Sequence, residues 1–259
     1  NTYDAYISAK KKFFDELSSK SIAIVNKDDK HGSTMLHHTK ANKKTFALRS
    51  AADYKCKIVE NQFSGLHLNI NGQDVYTKLI GSFNASNLLL TYATAIELGE
   101  NQLQVLTVLS ALDAVEGRFQ QFKSDLGVNS IVDYAHTPDA LINVLKTIAD
   151  IRTGNEKVIC VVGCGGDRDV GKRPLMAQSA CQFSDQVILT SDNPRSEDPK
   201  KIINEMKSGL NGSQMRKVIS LEDRREAIKL AVTLCSEGDI LLIAGKGHEK
   251  YQEINGERF

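Results

Sequence analysis

Four short loops concentrate the residues able to do chemistry. They are Asp133-Tyr134-Ala135-His136, the glycine-rich run 163–169 with Asp167, Arg168 and Asp169, Ser191-Asp192-Asn193-Pro194-Arg195, and Gly245-Lys246-Gly247-His248-Glu249. In the third, Asp192 and Asn193 can bond their own backbone and Pro194 stiffens the turn, which sets Arg195 on a rigid stalk. A planar guanidinium presented that way suits bidentate capture of a carboxylate. A capping turn with a surface Arg is the plainer alternative. In the fourth loop, Glu249 set opposite Arg168 and Arg195 lets one pocket read both charges of a zwitterion, an amino acid for instance. His248 is either a proton carrier or a hydrogen-bonding loop residue. Asp133 and His136 are candidates to contact a nucleotide or phosphate. For His136 the alternative is that it orders its own turn before Thr137 caps the next helix.

The glycine run resembles two phosphate-binding motifs and satisfies neither. As a dinucleotide fingerprint it carries Arg168 where the third glycine should permit close helix–strand packing. As a Walker A loop, Gly166 through Lys172 fits, but Arg173 replaces the hydroxyl residue that should hold Mg²⁺. The remaining reading is a turn that projects Asp167 and Arg168 into a site, with the next helix starting near Pro174.

Each loop follows a short apolar run, at 130–132, 158–162, 186–189 and 240–244, rich in Val, Ile and Leu. Helical patterns at 137–152, 172–183, 199–210 and 222–236 alternate with these runs, so they read as parallel strands of an α/β sheet. Ligands bind outside the carboxyl ends of such strands, so the four loops should share one edge. Pro199 suits the first turn of its helix. The earlier part differs in texture. Residues 2–19 have a helical spacing of Tyr6, Ala9, Phe13 and Leu17 that predicts one buried face. Strands follow near 21–25, 44–48 and 55–60. A hairpin is expected around Asn71-Gly72, and an apolar helix over 81–98 closed by Gly99. A second helix is read over 102–112. Asn84 and Asn87 look like N-terminal caps, and Lys10 in its lysine run looks like a solvated face. The expected fold class is α/β: a Rossmann-like domain with a mostly parallel sheet over 117–259, preceded by a separate domain over 1–116.

Composition narrows the function classes. The chain has 259 residues, 41% hydrophobic and 25% charged, with a net charge of +1, so neither nucleic acid nor an anionic membrane is an expected partner. No apolar run approaches a membrane span. Cys56, Cys160, Cys164, Cys181 and Cys235 lack metal-ligand spacing and read as free thiols of a reducing cytosol.

The motifs together resemble the ATP-dependent Mur ligases of bacterial peptidoglycan synthesis, most closely the branch that adds diaminopimelate. The resemblance runs through Tyr6-x-x-Ala9-Lys10, Asn26-x-Asp28-Asp29, Gly81-x-Phe83-Asn84-x-x-Asn87, Gly117-Arg118, Asp133 through Ala140, Gly163 through Pro174, Asp192 through Arg195 and Gly245 through Glu249. It implies that residues 1–116 are the latter part of a central ATPase domain, and that 117–259 are a C-terminal domain cut short at its end. It implies that Arg168, Asp192, Asn193, Pro194, Arg195, Gly245 and Glu249 bind meso-diaminopimelate, and that Asn87, Arg118, Asp133 and His136 lie near ATP. It also overturns the plain reading of Lys10: the matching lysine is carbamylated and helps hold Mg²⁺. Cys164 belongs to the pattern without assigned chemistry.

In the family's reaction the glutamyl carboxylate of a UDP-N-acetylmuramoyl-dipeptide attacks the γ-phosphate of ATP. The amine of the incoming amino acid then displaces phosphate from the acyl phosphate. The family's Gly-Lys-Thr phosphate loop and UDP-sugar domain precede the region matched by this chain. The expectation is therefore a cytoplasmic, monomeric fragment that keeps amino-acid recognition and has little ligase activity alone. The alternatives are a sibling ligase that adds lysine, a folylpolyglutamate synthase, or a non-catalytic nucleotide-binding module.

Overall fold

The structure, a computed structural model, describes residues 2–259. The chain divides into two compact units, Asn1–Asp113 and Ala114–Phe259.

In the first unit the elements are α1 (Tyr3–Asp15), β1 (Ile22–Asn26), α2 (Gly32–Met35), β2 (Asn42–Ala47), β3 (Tyr54–Gln62), β4 (Gly65–Ile70), β5 (Gln73–Thr77), α3 (Ser82–Glu97) and α4 (Gln102–Ser110). The strands lie in the order β1-β2-β3-β4-β5, parallel through β3 and antiparallel beyond it. Asn71 and Gly72, both at positive φ, turn β4 into β5 as a two-residue hairpin. Alternating Leu66, Leu68 and Ile70 face the apolar stripe Ala85, Leu88, Leu89 and Tyr92 of α3, which forms the core. Two expectations fail here. No residue of α1 is buried, and Tyr6 and Phe13 are more than half exposed. The helix instead turns Ile7 and Phe14 toward a small cluster around Val25 and Met35. Nor do Asn84 and Asn87 cap α3. Gly81 is its N-cap, and Asn84, already in the first turn, donates back to the Ile80 carbonyl at 2.8 Å.

The second unit contains β6 (Gln120–Lys123), β7 (Asn129–Asp133), α5 (Pro138–Ile151), β8 (Val158–Cys164), α6 (Lys172–Phe183), β9 (Gln186–Ser191), α7 (Pro199–Lys207), α8 (Gly212–Met215), β10 (Val218–Ser220), α9 (Arg224–Leu234), β11 (Ile240–Ala244), β12 (Glu253–Ile254) and β13 (Glu257–Arg258). Six strands form one sheet in the order β10-β9-β8-β11-β7-β6, parallel except for the edge strand β6. Every residue of β8 is buried, as expected of a central strand covered on both faces. Thr137 caps α5 and Asp198 caps α7, each accepting a backbone N–H two or three residues on. The helix after the glycine run starts at Lys172, so Pro174 lies within its first turn. The strands β9, β8, β11 and β7 are consecutive neighbours, so their carboxyl ends set the four polar loops side by side.

Candidate functional site

At that edge a cleft of about 480 Å³ is lined by Tyr134, His136, Arg168, Asp192, Asn193, Arg195, Gly245 and Glu249, among others. The loops are laced together from within. Gly166 N–H donates to the Asn193 carbonyl at 2.9 Å, and Arg195 Nη1 returns a bond to the Gly166 carbonyl at 2.9 Å. A Cβ on Gly166 would stand 1.9 Å from the Pro194 carbonyl oxygen, so only glycine allows this approach. Pro194 contributes through that carbonyl. Gly245, at φ +110°, passes so close to Asp192 that a side chain there would meet its carboxylate at 2.9 Å.

Arg195 itself adopts φ +52°, a costly conformation for a residue with a Cβ, and the surrounding bonds enforce it. Its N–H donates to the Glu253 carbonyl at 3.0 Å, its carbonyl accepts from Asn255 at 2.8 Å, and its Nε pairs with the Glu253 carboxylate at 3.2 Å. The guanidinium is thus fixed, with Nη2 left for a ligand anion among the described residues. Asn193 Nδ2 donates to Glu249 Oε2 at 2.9 Å, and Lys246 Nζ bridges Asn193 Oδ1 (2.7 Å) and Glu249 Oε2 (3.1 Å). Tyr134 Oη donates to Glu249 Oε1 at 3.3 Å. Burial opposes ionisation of Glu249, but the bonds from Asn193 and Lys246 outweigh it and hold its carboxyl below the ordinary range. Cation and anion therefore stand in one cleft, an arrangement that can read an ammonium beside a carboxylate.

Arg173, the residue that spoils the Walker A reading, is a structural clamp beneath this edge. Fully buried, it pairs with Glu197 at 2.7 Å and with Glu205, and reaches the Gly165 carbonyl at 3.4 Å. Glu197 also accepts from the Asp167 N–H at 2.6 Å, and Asp167 accepts from the Ser196 hydroxyl at 2.7 Å. The Arg173 guanidinium holds the Glu197 carboxyl down at about 2.

The residues expected near a nucleotide are less uniform. Asp133 is buried, and both its oxygens are taken by backbone N–H groups, from Phe119 and from Ala135, each at 2.7 Å. Burial pushes its carboxyl up, against those two bonds. Asp133 therefore shapes the loop and leaves little for a ligand. The Arg118 guanidinium stacks 4.4 Å from the Tyr134 ring centre. His136 Nδ1 lies 2.9 Å from the Tyr134 carbonyl, which fixes the proton on Nδ1 and orders the turn. Lys172 Nζ donates to the His136 carbonyl at 2.9 Å. Asn87 belongs to the first unit, one turn into α3.

Lys10 also lies in the first unit, on α1, its Nζ 4.5 Å above the Tyr6 ring in a cleft that includes Asn26 and Asp29. Interaction with Tyr6 raises its pKa and favours the ammonium. An ammonium repels a divalent cation, and no group of three or more His, Cys, Asp or Glu suited to a metal occurs among the described residues. Unmodified, these residues do not make a magnesium site. The nearby Asp28 is structural: burial opposes its ionisation, but bonds from the Ser50 side chain and the N–H groups of residues 48–50 hold it at about 2.

Sequence reasoning left Lys246, Tyr134, Arg173 and Glu253 unassigned. The first two sit inside loops singled out for other residues, whereas Arg173 was noticed only as a misfit. Nothing in the sequence marks Glu253, which arrives through the β12–β13 hairpin. The five cysteines are free, and burial pushes the Cys164 thiol up to about 12, consistent with an inert core group.

The second unit is a doubly wound α/β domain that gathers a cleft lined by both charges at its carboxyl edge, and another α/β unit precedes it. Comparison of the sequence gives the family. Residues 1–95 match the Mur ligase middle domain and 117–247 match the Mur ligase, glutamate ligase domain. The chain belongs to the Mur ligase family. It is 53% identical to the UDP-N-acetylmuramoyl-L-alanyl-D-glutamate–2,6-diaminopimelate ligase of Cytophaga hutchinsonii, over 100% of this chain and 53% of that protein. The same-named enzyme of Parabacteroides distasonis is 53% identical over 98% of this chain and 52% of its own length. A solved structure bearing that name superposes with a TM-score of 0.64 at 40% identity, covering 100% of this chain and 54% of its own. The chain thus spans about half the length of the curated relatives it matches. Folylpolyglutamate synthase from Thermotoga maritima shares the fold, with a TM-score of 0.73 at 15% identity over 94% of this chain and 56% of that one.

Proposed function

We propose that this chain is the amino-acid-positioning part of an ATP-dependent ligase that joins meso-diaminopimelate to UDP-N-acetylmuramoyl-L-alanyl-D-glutamate. The observation that carries the reading is the meeting of Arg195, Arg168, Asn193 and Glu249 in one cleft, of a size usual for small-molecule sites. Diaminopimelate differs from lysine by a second carboxylate at its far end. Arg195 and Asn193 offer N–H donors to that group and Glu249 an acceptor to the adjacent ammonium, while Asp192, Pro194 and Gly245 shape the wall. Lysine leaves the guanidinium without its anion, and sites of that kind reject the lesser ligand strongly. Holding the far end of the amino acid orients the near amine, so the contribution to peptide-bond formation is positional.

The dependence on ATP and Mg²⁺ belongs to the family. For this chain, Asn87, Arg118 and His136 are the proposed contacts to the nucleotide, with Asp133 ordering the backbone beside the latter two. Lys10 joins a metal site only after carbamylation turns its cation into an anion. We place the protein in the cytoplasm as a monomer, in keeping with its free thiols. No helix among the described residues is long and apolar enough to cross a membrane. By this reading residues 1–116 are the latter part of the central domain and 117–259 belong to the C-terminal one.

The test is calorimetric titration of the Arg195→Ala chain with meso-diaminopimelate and with lysine. Loss of the preference for diaminopimelate is expected, by about tenfold or more for a charged hydrogen-bonded contact. Unchanged selectivity would refute the assignment and favour a sibling ligase, and tight NAD binding would favour a nucleotide-binding module.

A further inference from the structure

Lys246 is buried, yet it belongs to none of the ligand contacts argued above. Its ammonium has donors only, and it points them at Asn193 Oδ1 (2.7 Å) and Glu249 Oε2 (3.1 Å), with the Tyr251 ring 5.4 Å away. The Glu253 N–H reaches the same Asn193 Oδ1 at 3.0 Å. Two donors therefore occupy both lone pairs of that oxygen. Turning the carboxamide over would face its NH₂ toward an ammonium and a backbone N–H, and would set its oxygen against the Glu249 carboxylate. Three neighbours agree on one orientation. Asn193 Nδ2 then spends one hydrogen on Glu249 Oε2 at 2.9 Å and keeps the other.

We infer that Lys246 is a positioning residue for this cleft: it fixes Asn193 as a pure donor toward an amino-acid ligand and steers Glu249 so that Oε1, which also accepts from the Tyr134 hydroxyl, faces an incoming ammonium. Lys246 touches no ligand itself. The consequence is a definite polarity, with an acceptor group of the ligand, a carboxylate, on the Asn193 side and a donor on the Glu249 side. The inference rests on the amino-acid reading of the site and deepens it.

The test is a double-mutant cycle on the 259-residue chain, reading meso-diaminopimelate affinity by calorimetry for the unmodified protein, Lys246→Met, Asn193→Ala and the pair. Lys246→Met is expected to weaken binding about tenfold or more. The double variant should bind worse than Asn193→Ala by less than the full Lys246→Met penalty, because much of that penalty acts through the carboxamide. A residue that merely stabilises the fold gives penalties that add in full. A ligand-free readout accompanies it: the side-chain NH₂ signals of Asn193 in nitrogen-15 spectra should shift and exchange faster in Lys246→Met. If the methionine variant does not fold, Lys246→Gln, which keeps a donor, carries the same comparison and should show an intermediate loss. Fully additive penalties, or Asn193 signals that do not move, overturn the inference. A chain that binds no diaminopimelate but shows Lys246-dependent amide signals overturns the substrate reading and supports the clamp.

Discussion

Lys10 and Lys246 carry the same ammonium on the same stem, and the two units treat them in opposite ways. Lys10 stands on an exposed helix with an aromatic ring for company. Lys246 is enclosed, with an amide oxygen and a carboxylate in bonding range. The contrast extends to the carboxylates. Asp28, at the end of β1, is spent on three backbone N–H groups, whereas Glu197 is locked to a buried guanidinium that also braces the ligand-facing loops. A motif match locates chemistry equally well in both units. The surroundings hold the cleft groups of the second unit in place by hydrogen bonds, while Lys10 stands as an exposed ammonium.

The sharpest way to break this contrast is Arg173→Met. It leaves Glu197 and Glu205 without their shared cation and should cost about 3 kcal/mol, at the lower end for a broken buried pair because both carboxylates keep some solvent. Denaturant unfolding followed in the second unit checks it, and a loss near zero would show that the clamp is ornamental. Next is Gly166→Ala, whose new methyl must displace the Pro194 carbonyl. About 2 kcal/mol of stability should be lost, and diaminopimelate binding with it, as the two loops part. In the first unit Asp28→Ala strands the N–H groups of residues 48–50 and should cost about 1 kcal/mol or somewhat more, without touching ligand affinity.

Acid should act on both units alike. Asp28 and Glu197 have folded-state values near 2, below their ordinary values, so each contributes stability in full above the usual carboxylate range. That contribution falls away as the pH drops toward 2, which a pH series of unfolding midpoints would show. The smallest effect belongs to Lys10→Ala, which should leave both the unfolding midpoint and diaminopimelate binding unchanged. Carbon-13 spectra of the chain in labelled bicarbonate should likewise show no lysine carbamate, because Tyr6 favours the protonated amine and CO₂ adds only to the neutral one.

Much of this was legible in the residues. The apolar runs before the four loops are β7, β8, β9 and β11, and their common edge followed from the rule for parallel sheets. The Asn71-Gly72 hairpin and the Pro199 helix start were readable because their local chemistry admits few conformations. What stayed hidden depends on contacts distant in sequence. The edge strand β6 has no apolar run and exists by pairing with β7. The orientation of α1 is set by which stripe meets β1 and α2, and the spacing Tyr6–Phe13 competes with Ile7–Phe14 one residue along. Arg173 and Glu253 gain their roles only when loops 24 and 58 residues away fold back onto them, and for such pairs the sequence carries no local sign.

We propose above that the cleft under Arg195 reads a doubly charged amino-acid end. Titrating the unmodified chain with meso-diaminopimelate and with lysine, under one buffer, tests it most directly. Diaminopimelate should bind more strongly than lysine by about tenfold or more. Equal affinity for the two, or heat from neither, would contradict it.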